Sequence, residues 1–183
     1  ILVTNNILIK DIELLKSQAE RCKDILLRLS KNPQNLKDNF FERIRIIDII
    51  KLNFEKFNDN KKLVLNYDNL NNESKILFKD EINYALGNII QNAILYSKKE
   101  INIFLKINNN EFIIKIEDDG DGFSRDVLDK LGEPYISKNK KGMGLGIFIA
   151  KNLIENMKGN IIFYNSNKNG AVVEIKFDKT ILI

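Results

Sequence analysis

The chain has 183 residues, of which 44% are hydrophobic and 30% charged, with a net charge of +4. That is one ordinary domain plus an additional element, and it argues against a membrane protein. No apolar run approaches the roughly 18 residues of a spanning helix. There is one cysteine and no histidine. An internal disulfide framework, histidine metal ligands, histidine-based nucleophile activation and phosphorylation on histidine within these residues are therefore excluded, and a reducing cytoplasm is the natural setting. Lysines are scattered and not interleaved with aromatics, which reads as a solvated surface and not a nucleic-acid interface. The first residue is Ile and no signal peptide follows, so the chain reads as a piece of something longer. Its abundance of Asn, Ile and Lys reads as codon bias, which lowers the value of any single Asn as a signal.

In chain order, Ile9–Ser30 reads as one helix. Leu8, Ile12, Leu15, Ala19, Cys22, Leu26 and Leu29 step by 4, 3, 4, 3, 4 and 3, a heptad seam that a lone helix cannot bury. Leu14, Ile25 and Leu27 widen that face as a helix bundle requires. The implication is dimerisation, or packing against a segment further upstream. Lys31-Asn32-Pro33 ends the helix and Pro33–Phe40 is a polar linker. The domains are therefore 1–32, a linker 33–41, and 42–183. Arg43–Ile47 reads as a short strand and Asp48–Phe57 as a helix. Lys62–Tyr67 and Lys75–Phe78 read as strands separated by an Asn-rich turn. Lys79–Ser97 is a second long helix with a face of Ile82, Leu86, Ile89, Ile90, Ala93 and Ile94. Ile101–Ile107 and Glu111–Glu117 form a hairpin around Asn108-Asn109-Asn110. Ser124–Leu131 is a short helix capped by Ser124. A lysine-bearing loop, Gly132–Lys141, leads to a helix over Gly144–Lys158 that Gly159 closes. Asn160–Tyr164 and Ala171–Phe177 make a final hairpin. The fold class is α+β: one long helix, then an α/β sandwich with a mixed sheet covered by helices on one face.

Three stretches carry chemistry. Asn88 and Asn92 are four apart on one helix face and offer neutral oxygens, which suit Mg²⁺ beside phosphates. The alternative is chance in an Asn-rich chain. Asp118-Asp119-Gly120-Asp121-Gly122 puts a carboxylate at a strand end, followed by a sharp turn. Asp118 can accept a hydrogen bond from a purine amino group. The competing reading, an Asp-Gly turn joining two strands, is weakened because no strand follows. Asp119 and Asp121 read as solvated. Gly142, Gly144, Leu145 and Gly146 open an apolar helix, where free N–H groups and the helix dipole favour phosphate. Glycine there costs about 1 kcal/mol against alanine, so close approach of a ligand or a flexible loop entry explains it. Lys138, Lys140 and Lys141 stand just before it, as phosphate partners or as solvated loop residues. In this order the three stretches read as one Mg-ATP site.

These residues resemble the GHKL (Bergerat-fold) ATPase superfamily, specifically the catalytic domain of sensor histidine kinases. Asn88–Asn92 with Ala93 and Tyr96-Ser97 resembles its N box. Asp118, Gly120 and Gly122 resemble its first glycine box, and Gly142, Gly144 and Gly146 the second. Gly170-Ala171 resembles a weaker distal glycine feature. Glu20-Arg21-Cys22 with Ile25-Leu26, and Leu131-Gly132-Glu133-Pro134-Tyr135 with Ile149-Ala150-Lys151, resemble the redox-responding RegB/PrrB type. The resemblance implies that residues 1–32 are the second helix of a dimerisation and histidine-phosphotransfer bundle, and that residues 42–183 bind ATP. It implies Mg²⁺ on Asn92 with Asn88 in support, the adenine amino group on Asp118, and Tyr96 flanking the base. Lys141 and the Gly142–Gly146 segment would hold the phosphates. The γ-phosphoryl would pass to a histidine on an upstream helix, then to the receiver domain of a response regulator. The partners implied are a second copy through the N-terminal helix and that regulator. The location implied is the cytoplasmic portion of a membrane-anchored sensor, with no membrane contact by these residues.

Three departures matter: the acceptor histidine is absent, Leu95 stands where many relatives carry a basic residue, and the lid is short. A GHKL serine kinase of the anti-sigma type is one alternative, disfavoured by the heptad helix. A degenerate nucleotide-binding or dimerisation module is another. The gyrase and mismatch-repair ATPases place a carboxylate four residues before the metal-binding Asn, where this chain has Asn88. Cys22 sits on the seam as a small buried hydrophobe. By resemblance it is also a redox candidate, its thiol made more acidic by Arg21 and Lys23 where partly exposed. On that second reading, oxidant yields a covalent dimer on a non-reducing gel, and Cys22→Ser abolishes it. A Cys22→Ser chain that still crosslinks contradicts it.

Overall fold

The computed structural model describes residues 43–57, 60–68, 75–77, 79–136, 144–167 and 170–182, all within one compact unit, Phe41–Ile183. The expected helix Ile9–Ser30 with Cys22, the linker, Phe78, the Asn-rich turn and Lys138–Met143 lie outside the described residues.

The elements are β1 (Arg43–Arg45), α1 (Ile46–Phe57), β2 (Lys62–Asp68), β3 (Lys75–Leu77), α2 (Asp80–Tyr96), β4 (Glu100–Ile107) and β5 (Glu111–Asp118). They continue with α3 (Arg125–Leu128), α4 (Gly146–Asn156), β6 (Asn160–Asn165), β7 (Ala171–Asp178) and a 3₁₀ turn, Lys179–Ile181. Five strands form one mixed sheet in the order β2-β4-β5-β7-β6. Only the β2–β4 pair is parallel. A parallel pair needs a long crossover, and α2 supplies it.

Alternation in the strands decides which face is covered. Ile101, Ile103 and Leu105 of β4 are buried, as are Phe112, Ile114 and Ile116 of β5 and Val173, Ile175 and Phe177 of β7. The register lines them up: Ile103 opposes Ile116, Leu105 opposes Ile114, and Ile114 opposes Ile175. Onto this face pack Ile46, Ile49 and Ile50 of α1, Ile82, Leu86, Ile89 and Ile90 of α2, and Ala150 and Ile154 of α4. Each Ile or Leu side chain among them contributes about 2 kcal/mol by leaving water. The other face is polar and half-exposed. There Lys115 pairs with Glu117 at 3.0 Å and Lys176 with Glu174 at 3.2 Å. The expected sandwich is therefore present, with helices on one face of a mixed sheet. Among the described residues, no helix is long and apolar enough to cross a membrane.

Several element boundaries differ from expectation. The first helix begins at Ile46, so the preceding strand stops at Arg45; Ile46 and Ile49 are both fully buried, which fits a helical period. The two strands expected around the Asn-rich turn do not pair with each other. Strand β2 joins the main sheet, whereas β3 pairs antiparallel with β1 in a small separate sheet. Helix α3 is four residues long, shorter than expected, and the Ser124 side chain makes no capping bond. Instead the Ser124 carbonyl accepts from Val127 and Leu128, and Ser124 Oγ is buried without a partner. Helix α4 closes through Lys158, not Gly159. Lys158 carries the left-handed φ of 61°. Its N–H donates to Glu155 O, and the Gly159 N–H to Ile154 O, both at 2.9 Å, as in a Schellman end. Gly159 is needed for another reason: a Cβ there would run into the Phe177 ring.

Helices α1 and α2 meet through a glycine and a buried amide. Asn53 is buried, and its Nδ2 donates to Ile49 O at 2.9 Å and Asn83 Oδ1 at 2.8 Å. A Cβ on Gly87 would sit 2.7 Å from Asn53 Oδ1. Gly87→Ala gains about 1 kcal/mol of helix propensity but displaces a buried, bonded amide at a cost of roughly 1–3 kcal/mol. Chemical denaturation is expected to show Gly87→Ala less stable than the parent, against the propensity trend.

Candidate functional site

Helix α2 carries both halves of the site. Asn88 is buried, and its Nδ2 donates to Tyr84 O one turn back at 2.9 Å. Asn92, one turn on, is half-buried. Both amides face the first residue of α4. A Cβ on Gly146 would lie 3.2 Å from Asn88 Oδ1 and 3.7 Å from Asn92 Nδ2. Glycine thus lets the α4 N-terminus approach the amide pair. Leu145 holds the N-cap position and provides no side-chain cap, so the first N–H groups of α4 keep their capacity for an anion. Gly144 has a φ of 65°, and a Cβ there would fall 2.6 Å from the backbone C and N of Ile136. Only glycine fits. Lys141 and Gly142 lie outside the described residues, as does Cys22.

The second half lies at the C-terminal end of α2, about 6 Å along the axis beyond Asn92 at 1.5 Å per residue. Tyr96, the last residue of α2, is 43% exposed. Gly120 packs so closely on the Tyr96 carbonyl that any Cβ would collide with it. Asp118 ends β5 and is only 6% exposed. Its Oδ1 accepts from Gly120 N at 2.9 Å and Ala171 N at 3.1 Å. No described residue donates to Oδ2. Burial raises the Asp118 carboxyl above its ordinary pKa, against the Ala171 and Gly120 N–H groups, which pull it down, and with help from Asp119 and Glu117. Gly170, at φ 110°, lies against the Asp118 carbonyl, where no side chain could.

Asp119 is half-buried and bonded, contrary to expectation, whereas Asp121, 89% exposed, is solvated as expected. Asp119 Oδ1 accepts from Lys98 N at 2.7 Å and Lys99 N at 3.0 Å, and Oδ2 from Lys99 N at 2.9 Å. It ties the chain leaving α2 to the residue beside Asp118. Burial works against its charge, but the N–H groups of Lys99, Lys98 and Glu100 prevail and hold its pKa below the usual value. Asp121 pairs with Lys98 at 2.5 Å. The sequence also gave no sign of Asn165. Its Oδ1 accepts from Phe123 N at 2.7 Å and its Nδ2 donates to Phe123 O at 2.8 Å. It also occupies the space a Cβ on Gly122 (φ 75°) would need.

The donor set decides what could be held. Among the described residues no group of three or more His, Cys, Asp or Glu could hold a metal ion. Two neutral amides beside a helix N-terminus fit a hard cation only together with phosphate oxygens. A buried carboxylate with one oxygen lacking a described donor fits a neutral amino donor.

Residues 79–181 match the family described as histidine kinase-, DNA gyrase B- and HSP90-like ATPase. The chain belongs to that family. The matched residues are the ATP-binding catalytic domain found in sensor histidine kinases. It is 26% identical over 192 residues to sensor histidine kinase RegB of Cereibacter sphaeroides, covering 90% of this chain and 41% of that protein. It is 35% identical over 99 residues to sporulation kinase B of Bacillus subtilis, covering 52% of this chain and 23% of that protein. The chain thus spans well under half of either relative. The solved histidine kinase AdeS of Acinetobacter baumannii shares the fold at a TM-score of 0.64, 24% identity, 93% of this chain and 81% of that one.

The two neighbouring carboxylates should affect stability with opposite signs. Asp118, with a raised folded-state pKa, contributes stability below its ordinary 3.8 and loses it as pH rises through the folded value. Asp119, with a lowered one, contributes above 3.8 and loses it as pH falls through the folded value. Thermal melts should therefore show Asp118→Asn more stable than the parent near neutral pH, with the gain gone in acid. Asp119→Asn should be less stable near neutral pH, with the deficit shrinking in acid.

Proposed function

We propose that this chain binds Mg-ATP and supplies the γ-phosphoryl group to a histidine outside these residues, from which it passes to an aspartate of a response regulator receiver domain. Asp118 carries this reading. It is a buried carboxylate at a strand end, with Oδ1 engaged by backbone and Oδ2 left to accept from the adenine amino group. Tyr96 flanks the base from the end of α2. The N-terminus of α4, with Gly142, Gly144, Leu145 and Gly146, wraps the phosphates, joined by Lys141. Asn92, with Asn88 in support, holds Mg²⁺. Mg²⁺ held there would supply positive charge against the phosphates during transfer. The remaining work is positioning, which is consistent with a site holding no nucleophile of its own. The chain contains no histidine, so the acceptor is provided by another segment or subunit. We assign residues 1–32 to the second helix of a dimerisation bundle, 33–41 to a linker and 42–183 to the ATP-binding domain. The partners are a second copy and a receiver domain, and the setting is the cytoplasmic side of a membrane-anchored sensor.

Calorimetric titration with ATP is expected to show binding that requires Mg²⁺. Asp118→Ala and Asn92→Ala should each weaken it by roughly tenfold or more, the loss of one buried polar contact. ATP binding that ignores both Mg²⁺ and Asp118→Ala would contradict the reading.

A further inference from the structure

The segment Asp118–Phe123 forms an arch with both feet on the end of one hairpin, β6–β7. At one foot, Ala171 N donates to Asp118 Oδ1 at 3.1 Å, Gly170 lies against the Asp118 carbonyl, and Ser166 Oγ donates to Glu117 Oε1 at 2.5 Å. At the other foot, Asn165 holds Phe123 by both its N–H and its carbonyl. That pair of bonds continues a strand-like ladder with a side chain in place of backbone. The Phe123 ring then meets Phe163 of β6 edge-on, with centroids 6.4 Å apart. Between the feet, the backbone turns at Gly122 with φ 75°. Asn165 Oδ1 is 2.7 Å from the place of the missing Cβ.

We propose that Asn165 is a positioning residue that sets which purine the site accepts, by fixing the arch that presents Asp118. The inference rests on the reading that Asp118 receives the 6-amino group of adenine. A carboxylate that selects by one hydrogen bond must be held to within about 0.5 Å of its working position. Its discrimination comes from the penalty when a 6-oxo group faces it with no proton to give. Freeing the Phe123 foot leaves Gly120–Gly122 held at one end only, which loosens the Gly120 N–H that fixes the Asp118 carboxylate through Oδ1. Attraction to the amino group and repulsion of the oxo group then weaken together. Phosphate binding at Asn88, Asn92 and Gly146 does not depend on the arch.

ATP and inosine triphosphate differ at the 6-position, amino against oxo, and in the N1–H that the 6-oxo base carries, so the ratio of their affinities reads the base edge that Asp118 would face. The whole 183-residue chain, its Asn165→Ala variant and its Asn165→Asp variant are titrated with each nucleotide in Mg²⁺, and each variant's thermal melt is recorded. The parent is expected to prefer ATP. Asn165→Ala should lose roughly tenfold of that preference, the worth of about one to two hydrogen bonds, with ATP affinity falling and inosine triphosphate affinity holding or rising. Asn165→Asp keeps the acceptor for Phe123 N–H but sets a charge against Phe123 O, so its preference should fall too. This second variant carries the test if Asn165→Ala does not fold. Equal losses for both nucleotides, or an unchanged ratio in a folded variant, overturn the role of Asn165. A parent that binds the two equally overturns the reading of Asp118 itself.

Discussion

The arrangement depends on keeping one carboxylate, Asp118, nearly out of water at the end of a central strand. Burial alone would drive such a group to take up a proton. Two backbone N–H groups, from Gly120 and Ala171, offset part of that cost. Each donor imposes a requirement on the chain. Gly120 must pass against the Tyr96 carbonyl, and Gly170, just before Ala171, against the Asp118 carbonyl, so neither tolerates a Cβ. The glycines around Asp118 therefore follow from how the carboxylate is held.

Helix α2 links this carboxylate to the amide pair facing the start of α4. Its apolar stripe, Ile82, Leu86, Ile89, Ile90 and Ala93, locks it onto the sheet. Its opposite edge then presents Asn88 and Asn92 to the start of α4, and its last turn meets the Asp118 arch. The spacing between the two halves is the rise of a rigid helix and does not hang on loop conformation. Asp119 fastens the chain leaving α2 to β5, and Lys61 Nζ reaches the carbonyls of Ser97 and Lys98 at 2.8 and 2.9 Å. The end of α2 is thus held from two sides. This is the degree of preorganisation a site without its own nucleophile needs.

Much of this was legible in the residues. The apolar stretches of β4, β5 and β7 placed those three strands to within one residue at each end. The long apolar period of α2 was read to within one residue at each end. The Asn pair and Asp118 stood out by spacing and by place. Other features left no mark. β1 and β3 are three residues each and pair across some thirty positions, which no local pattern encodes. The parallel β2–β4 pairing is likewise non-local. Asp119 looks like any solvated acid after a strand, because its partners are backbone N–H groups that carry no residue identity. Asn165 is one asparagine in a chain crowded with them. Ser124 stands where a cap belongs, yet its hydroxyl turns inward.

The most direct test of this account is the pKa of the Asp118 carboxyl, followed by carbon NMR in the free chain and with saturating Mg-ATP. A value above the ordinary 3.8 in the free chain, falling when ATP binds, is expected, because an amino donor on Oδ2 favours the ionised form. An ordinary value that ATP leaves unmoved would mean that Asp118 is neither buried as described nor in contact with the base.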